Sequence, residues 1–504
     1  MYDKSRIAIV GGGVAGVTSA LYLAHLGLNV TLFEKRQSLV DGPPWCHLHA
    51  GGNLYREISD EQCVTLLKQS IDFVNFYPYV VDYRPTVIAL PLSDKGSVDQ
   101  LLPRLNLLQK EYEKLVRNDN LNKVLGESEN YYRLFSREKM EMLKKRSIVE
   151  QPRSHDEWMI SVAKNIAMDE IQFPLILVQE YGLNMFRLAA GSKLAFQNIP
   201  HVTIQTEMMV EDIIRSDGKW KVSYSNKTKR ENEAYFDYLI NAAGFKTGEI
   251  DDMLGIQTKR MVEFKASYIS KWDKKSDVLF PEMIFHGERG TPQGMAQFTP
   301  YPGGYFQLHG MTNEITLDKD GLAKSTLESS QPQLEYKFIQ KIDQGWNAED
   351  IHQRTQNAID HVTQYIPSFD DAIVGSQPLY GAQQIPGDDP TLRVAEVSFP
   401  RASYARCEIV KVSSSLDMVK AIISDLIALD LLEDDGIENH AWIHTDLIDE
   451  TRLKIGAEKI STQRGYPASM ARLNVKKPSL LKYFKRIHNA STYMDSRLKQ
   501  RHRA

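Results

Sequence analysis

The run Arg6–Val10 (RIAIV) is short and apolar, the pattern of a strand buried on both faces. Three glycines follow it, and Val14–Leu26 then carries Ala, Leu and Tyr without a breaker until Gly27. That stretch predicts a helix, with Gly27 as its C-terminal stop. Asn29–Phe33 (NVTLF) is a second β-branched run, so strand, glycine turn, helix and strand fit within 35 residues. Such a βαβ unit has parallel strands. Asp41–Tyr55, rich in Gly, Pro, His and Asn, predicts an irregular loop. Ser59-Asp60-Glu61-Gln62 is a capping box, and Cys63, Leu67, Ile71 and Val74 follow at helical spacing.

Residues 98–150 predict charged helix, with Leu101, Leu105, Leu108, Tyr112 and Leu115 as its buried stripe. Pro174 interrupts a mixed stretch, and a helix is expected from Asn184 to Phe196. His201–Ser225 predicts β-structure turned at Ser216-Asp217-Gly218, because Trp220–Tyr224 alternates. Tyr235–Gly244 (YFDYLINAAG) reads as a strand ending in small residues. Strands with Gly/Pro turns are expected over 262–317, a helical stretch near 330–365, a strand at Leu392–Phe399 and a helix at Ser415–Leu432. Residues 433–504 are mixed in pattern.

Length and charge narrow the picture a little. A chain of 504 residues calls for two to three domains. Its net charge of −4 gives no pull toward nucleic acid. Three cysteines and no CxxC pair predict neither a disulfide framework nor a metal site, and a reducing cytoplasm is the expected home. Ile7–Phe33 holds no charged residue and is long enough to span a membrane. Gly11-Gly12-Gly13, His25, Asn29 and the change of period within it argue for the βαβ unit instead.

The chemistry sits in Gly11-x-Gly13-x-x-Gly16, between the first strand and the first helix. The first glycine allows a tight turn, the second lets backbone approach a pyrophosphate, and the third lets helix pack on strand. The helix N-terminus then offers unpaired N–H groups to phosphate. Glu34 lies 18 residues beyond Gly16, where a carboxylate accepts from a ribose 2′-hydroxyl and repels a 2′-phosphate. NAD and FAD both satisfy this pattern.

Three stretches resemble the D-amino-acid-oxidase-like family of FAD-dependent oxidoreductases: Ile7–Lys35, His49–Tyr55 (HAGGNLY) and Asp237–Phe245 (DYLINAAGF). A fourth, Ser413–Ile422, is similar to the segment whose helix N-terminus faces the flavin pyrimidine. The resemblance implies FAD as cofactor. It assigns Gly11, Gly12, Gly13, Val14, Ala15, Gly16, Glu34 and Lys35 to it, then His49, Ala50, Gly51, Gly52 and Asn53. Val210, Ala242, Ala243, Gly244, Ser414 and Ser415 complete that set. Where many members carry a Ser- or Thr-rich turn, this chain has Trp45-Cys46-His47-Leu48-His49. That departure opens a covalent flavin link through His47 or His49 beside an ordinary hydrogen-bonding histidine.

The implied reaction is hydride transfer to flavin from the C–N or C–OH carbon of a small anionic substrate. Candidate catalytic residues are His49, Arg289 and Tyr305, with Arg401, Arg406, Tyr301, Tyr380, His286 and His309 behind them. An arginine fork suits a substrate carboxylate. The fold class expected is α/β: a Rossmann-like FAD-binding domain with a parallel sheet, and an inserted α+β substrate domain with an antiparallel sheet. Residues 1–80, 160–250 and 370–432 are assigned to the first, 81–159 and 251–369 to the second, and 433–504 to a C-terminal extension.

Residues 471–504 hold ten Lys or Arg and one acid, Asp495. Lys476–His488 mixes basic and apolar residues, as peripheral contact with the inner face of a membrane requires and as a solvated tail also would. Oxygen, a quinone or a carrier protein are all open as electron acceptor. The rival readings are an NAD(P)H-dependent flavin monooxygenase, for which Gly387-Asp388 is the one cue, and a non-catalytic binding protein on the same fold.

Overall fold

The structure, a computed structural model, describes residues 5–42, 48, 58–228, 230–390, 392, 394–434 and 448–476. Two sheets organise it. The first has six strands in the order Val397–Arg401, Tyr404–Cys407, Tyr238–Asn241, Arg6–Val10, Asn29–Glu34 and Val202–Thr206. All neighbours are parallel except the Val397–Arg401 edge. Ile7 faces Tyr238 on one side and Val30 on the other, so the first strand is central.

That position explains its unbroken apolar run. Ile7 and Ile9 pack toward the first helix, Val14–His25, while Ala8 and Val10 pack toward Trp220 and Val222 of a three-stranded antiparallel sheet. A strand covered on both faces cannot alternate. The three-stranded sheet is Met208–Ser216, Lys219–Asn226 and Glu231–Phe236, turned where Asp217-Gly218 was expected to turn it.

The second sheet has nine strands. Arg260–Lys271 lies at its heart, paired with Tyr305–Gly310, Leu322–Lys324 and Ile373–Pro386. Side-chain alternation gives it two faces. Phe264, Tyr268, Phe298, Phe306 and Leu308 meet the helices Tyr336–Gln344 and Ala348–Thr363 in an apolar core. The opposite face carries a buried polar layer. Gln297 donates to Glu282 (2.9 Å) and Thr299 (2.8 Å), Gln307 donates to Ser267 (2.9 Å), and Arg84 pairs with Glu282 at 2.6 Å.

Several elements depart from the sequence expectation. The stretch 98–150 is not helix throughout: strand Tyr132–Phe135 separates helices Leu102–Asn118 and Arg137–Lys144. Ile171–Val178 is a strand despite Pro174, which falls where the register with the neighbouring strand shifts and no ladder donor is needed. The strand expected at Leu392–Phe399 runs instead from Val397 to Arg401. Ile171–Val178 and Ile373–Pro386, grouped by sequence with the nucleotide-binding stretches, both belong to the nine-stranded sheet.

The extension after residue 433 also has structure. Asp449 accepts the Arg452 N–H (2.7 Å) and opens the helix Glu450–Gln463. Leu453 and Ala457 are buried against Met185, Phe186 and Ala190 of the helix Met185–Phe196. Buried Arg187 ties the two helices through Glu450 (2.6 Å), and its Nε donates to the Tyr79 carbonyl (2.7 Å). Leu453→Ala is expected to destabilise the protein by about 3 kcal/mol, read as a lower urea midpoint. Among the described residues no helix is long and apolar enough to cross a membrane. The residues 477–504, with most of the basic tail, lie outside the described set.

Candidate functional site

The glycine loop is built from three glycines with three different reasons. Gly11 has φ +105°, the left-handed region, and a Cβ there would lie 2.3 Å from the Ala242 carbonyl oxygen. A Cβ on Gly16 would lie 1.9 Å from the Gly11 carbonyl oxygen, so the helix can reach the strand only without a side chain. Gly13 is different. Its backbone is extended (φ −69°, ψ −171°), open to any residue, and a Cβ would meet nothing within 4 Å. No neighbour in the fold requires glycine at that point, whereas a close-lying ligand would.

Gly13 is also the N-cap of the first helix, with no side chain capping it and no acid in the first turn. The helix therefore presents free N–H groups and the positive end of its dipole to the same space. Glu34 closes the lip. Its two oxygens accept the N–H groups of Gly12 (2.7 Å) and Arg36 (2.7 Å), which fixes the carboxylate. Each oxygen keeps a further lone pair for a hydroxyl donor.

A cleft of about 200 Å³ runs from this loop along Ala242, Ala243 and Gly244, past Gln383 and Gln384, to Cys407, Lys411 and Val412. Val412, where it ends, leads into the helix Ser415–Ala428. There Ser414 donates to Gln69 (2.8 Å), whereas the buried hydroxyls of Ser413 and Ser415 have no partner among the described residues. A long groove with glycine-lined phosphate cradle, fixed carboxylate and orphaned hydroxyls at a second helix N-terminus fits an adenine dinucleotide. Burial pushes the Cys407 thiol well up from its usual range, so it lines the cleft as a neutral group. No cluster among the described residues suits a metal ion.

The sequence candidates divide. Gly11, Gly13, Val14, Ala15, Glu34, Lys35, Ala242, Ala243 and Gly244 come together around the cleft, with Gly12 and Gly16 in the turn beneath it. Ser414 and Ser415 lie buried just beyond Val412 and do not themselves line the cleft. Val210 does not line it. It packs beside Phe33 and Tyr224 in the cluster between the two smaller sheets. His47, His49, Ala50, Gly51, Gly52 and Asn53 lie outside the described residues.

Arg289 and Tyr305 are not brought to the cleft or to each other. Half-exposed Arg289 pairs with Glu263 and reaches Met311, just beyond Gly310. Tyr305 begins that same strand, about 20 Å away at 3.3 Å per residue, with Lys271 over its ring at 5.4 Å. Tyr301 donates to Gln307 (3.1 Å), and His309 meets Thr316 (3.3 Å). Arg406 is held by Asp251 (2.8 Å) and Glu408 (2.8 Å), and Arg401 is exposed on the edge strand. Gly387-Asp388 follows the long strand Ile373–Pro386 and does not border the cleft. Arg289→Ala is expected to lower stability by about 1 kcal/mol and leave cofactor content unaltered, because Arg289 is half-exposed and the buried Glu263 keeps Lys265 at 3.2 Å.

Gln383, Gln384 and Cys407 line the cleft without having been singled out. The amide of Gln384 accepts from Thr247 (2.9 Å) and donates to the Cys407 carbonyl (3.0 Å), a long-range satisfaction that no local spacing records.

Residues 6–75 match the family model of FAD dependent oxidoreductases (DAO). Thiamine thiazole synthase from Pyrobaculum aerophilum is 37% identical over 102 residues, 19% of this chain. The chain spans only 36% of that relative's length. Among solved structures, glycerol-3-phosphate dehydrogenase from Bacillus halodurans complexed with FAD superposes at TM-score 0.54, with 13% identity over 93% of this chain and 74% of its own. L-amino acid deaminase from Proteus vulgaris superposes at TM-score 0.54, with 11% identity over 86% and 94%. At these identities the likeness is one of fold.

Proposed function

From a chain that carries the FAD-dependent oxidoreductase module at its N-terminus, we propose an enzyme that oxidises the C–N or C–OH carbon of a small anionic substrate. The observation that carries the reading is the open face at Gly13, set on an uncapped helix N-terminus beside the fixed Glu34 carboxylate. FAD held there supplies the hydride acceptor. The N–H groups that start the first helix neutralise the pyrophosphate charge, and Glu34 accepts from the ribose. The helix Ser415–Ala428 turns its positive end and the hydroxyls of Ser413 and Ser415 toward the flavin end, which favours negative charge on the reduced ring. His49 is the polar group proposed to contact the substrate or the ring. Proton loss from the substrate nitrogen or oxygen needs no further protein base.

The test is anaerobic mixing of the purified yellow protein with amino acids, N-methyl amino acids and 2-hydroxy acids. One class is expected to bleach the flavin within the mixing time of turnover, and admitting air or a quinone then identifies the acceptor. Bleaching by NADPH alone would overturn the reading in favour of a monooxygenase, and a colourless protein with no affinity for FAD would overturn it altogether. His49→Ala is expected to slow substrate bleaching at least about tenfold with flavin content retained.

A further inference from the structure

The loop that follows Glu34 borders a second and larger cavity. It measures about 990 Å³ and shares Lys35, Arg36, Asp41 and Gly42 with the dinucleotide cleft. Its walls are the helix Met185–Phe196, the C-terminal helix Glu450–Gln463 and Tyr380 of the long strand. Seven Lys or Arg line it against one carboxylate, Asp41, in a chain whose net charge is −4.

Four of the cations are committed. Arg36 pairs with Asp41 (2.8 Å), Lys227 with Glu207 (2.8 Å) and Arg452 with Gln197 (2.8 Å). Arg464 is spent on the carbonyls of Leu39 (2.7 Å) and Val40 (3.0 Å) and on Ser38 (2.9 Å). Lys35 lies in the field of Lys246, Asp343 and Glu249 on the side of the dinucleotide cleft, whereas Lys193 and Lys459 have no hydrogen-bond or ion-pair partner among the described residues. Like charges gathered in a concavity repel one another and focus a positive potential, which an entering anion relieves. Between them lies an apolar wall of Phe186, Leu194, Leu379 and Ile460.

We propose that this cavity is a binding site for an organic phosphate, adjoining the dinucleotide cleft. The phosphate faces the unpaired ammonium groups of Lys193 and Lys459, and the hydrocarbon body lies on Phe186, Leu194 and Ile460. Two ammonium groups suit a dianionic phosphate better than a single carboxylate, since each acts as a point charge without the planar fork of arginine. The proposal stands apart from the oxidation reading: a protein that binds the probe but oxidises nothing leaves it intact.

Octyl phosphate titrated calorimetrically into the full chain, with and without saturating FAD, tests it. Saturable binding is expected in both series, and little or none for octyl glucoside. K193Q/K459Q is expected to weaken octyl phosphate binding about tenfold or more while FAD content and Tm stay at wild-type values, both side chains being exposed. Absence of saturable binding, equal affinity in the variant, or loss of binding when FAD is added would each overturn the proposal. Equal affinity for octanoate would overturn the phosphate assignment, and equal affinity for inorganic phosphate would overturn the role of the apolar wall.

Discussion

Gly16→Ala is expected to cost the protein about 3 kcal/mol and its FAD together, whereas Gly13→Ala is expected to cost only the FAD. The contrast comes from what each new methyl would meet. At Gly16 it would lie 1.9 Å from the Gly11 carbonyl oxygen, a backbone atom that cannot rotate away. The first helix would have to lift off the first strand, opening the core around Ile7 and Ile9. At Gly13 the methyl meets no protein atom within 4 Å, and the backbone there is one that alanine adopts freely. It would occupy the space where a pyrophosphate must come close. Urea unfolding of the flavin-free proteins should therefore show wild-type stability for Gly13→Ala and a clear loss for Gly16→Ala. Flavin absorbance should be lost from both. A Gly13→Ala protein that kept wild-type FAD affinity would remove the cradle from the site.

The second large effect is expected at Asp251. Its carboxylate is fully buried, accepts from Tyr404 (2.7 Å) and pairs with Arg406 (2.8 Å) and Arg260 (3.5 Å). Arg406 belongs to the six-stranded sheet and Arg260 opens the central strand of the nine-stranded one, so this carboxylate links the two. Asp251→Ala leaves two buried guanidinium groups with only Glu408, at 2.8 and 3.8 Å, for compensation. Breaking a buried pair from one side costs about 3–5 kcal/mol, much of it the stranded charge. A urea midpoint within 1 kcal/mol of wild type would show that water reaches the arginines. The network explains why Arg406, attractive in sequence as a substrate anchor, is not available as one.

The parts of the fold that were legible in sequence are those whose cause is local. The first strand, helix and second strand announce themselves because burial on both faces removes polar residues and the crossover needs glycine. Ser59 caps its helix by accepting the Gln62 N–H (3.3 Å), one half of the expected capping box, while the Gln62 side-chain oxygen does not close the other half. Illegible elements owe their form to distant partners. Ile373–Pro386 carries Gly, Ser, Gln and Pro among few alternating apolar residues, and becomes a strand because Arg260–Lys271 supplies its ladder. Its amides are tolerable in the interior only because Gln383 donates to Val410 (3.0 Å) and Gln384 to Cys407. Arg289 reads in sequence as an unattached loop arginine, since nothing nearby reveals Glu263 as its partner. The glycine motif shows the reverse case. Its positions imply different roles, and the geometry agrees: Gly11 and Gly16 are hemmed in by backbone, while Gly13 faces open space.

Arg464 carries a consequence for the order in which the protein can be made. Its guanidinium holds residues 38–40, the stretch that runs on from Glu34 along the lip of the cleft, across a sequence separation of 424 to 426 residues. The glycine turn leaves the ribosome well before the arginine that fastens the loop beside it. A nascent chain therefore completes its nucleotide lip only once Arg464 has emerged, and a chain cut short before the helix Glu450–Gln463 would carry that lip unfastened.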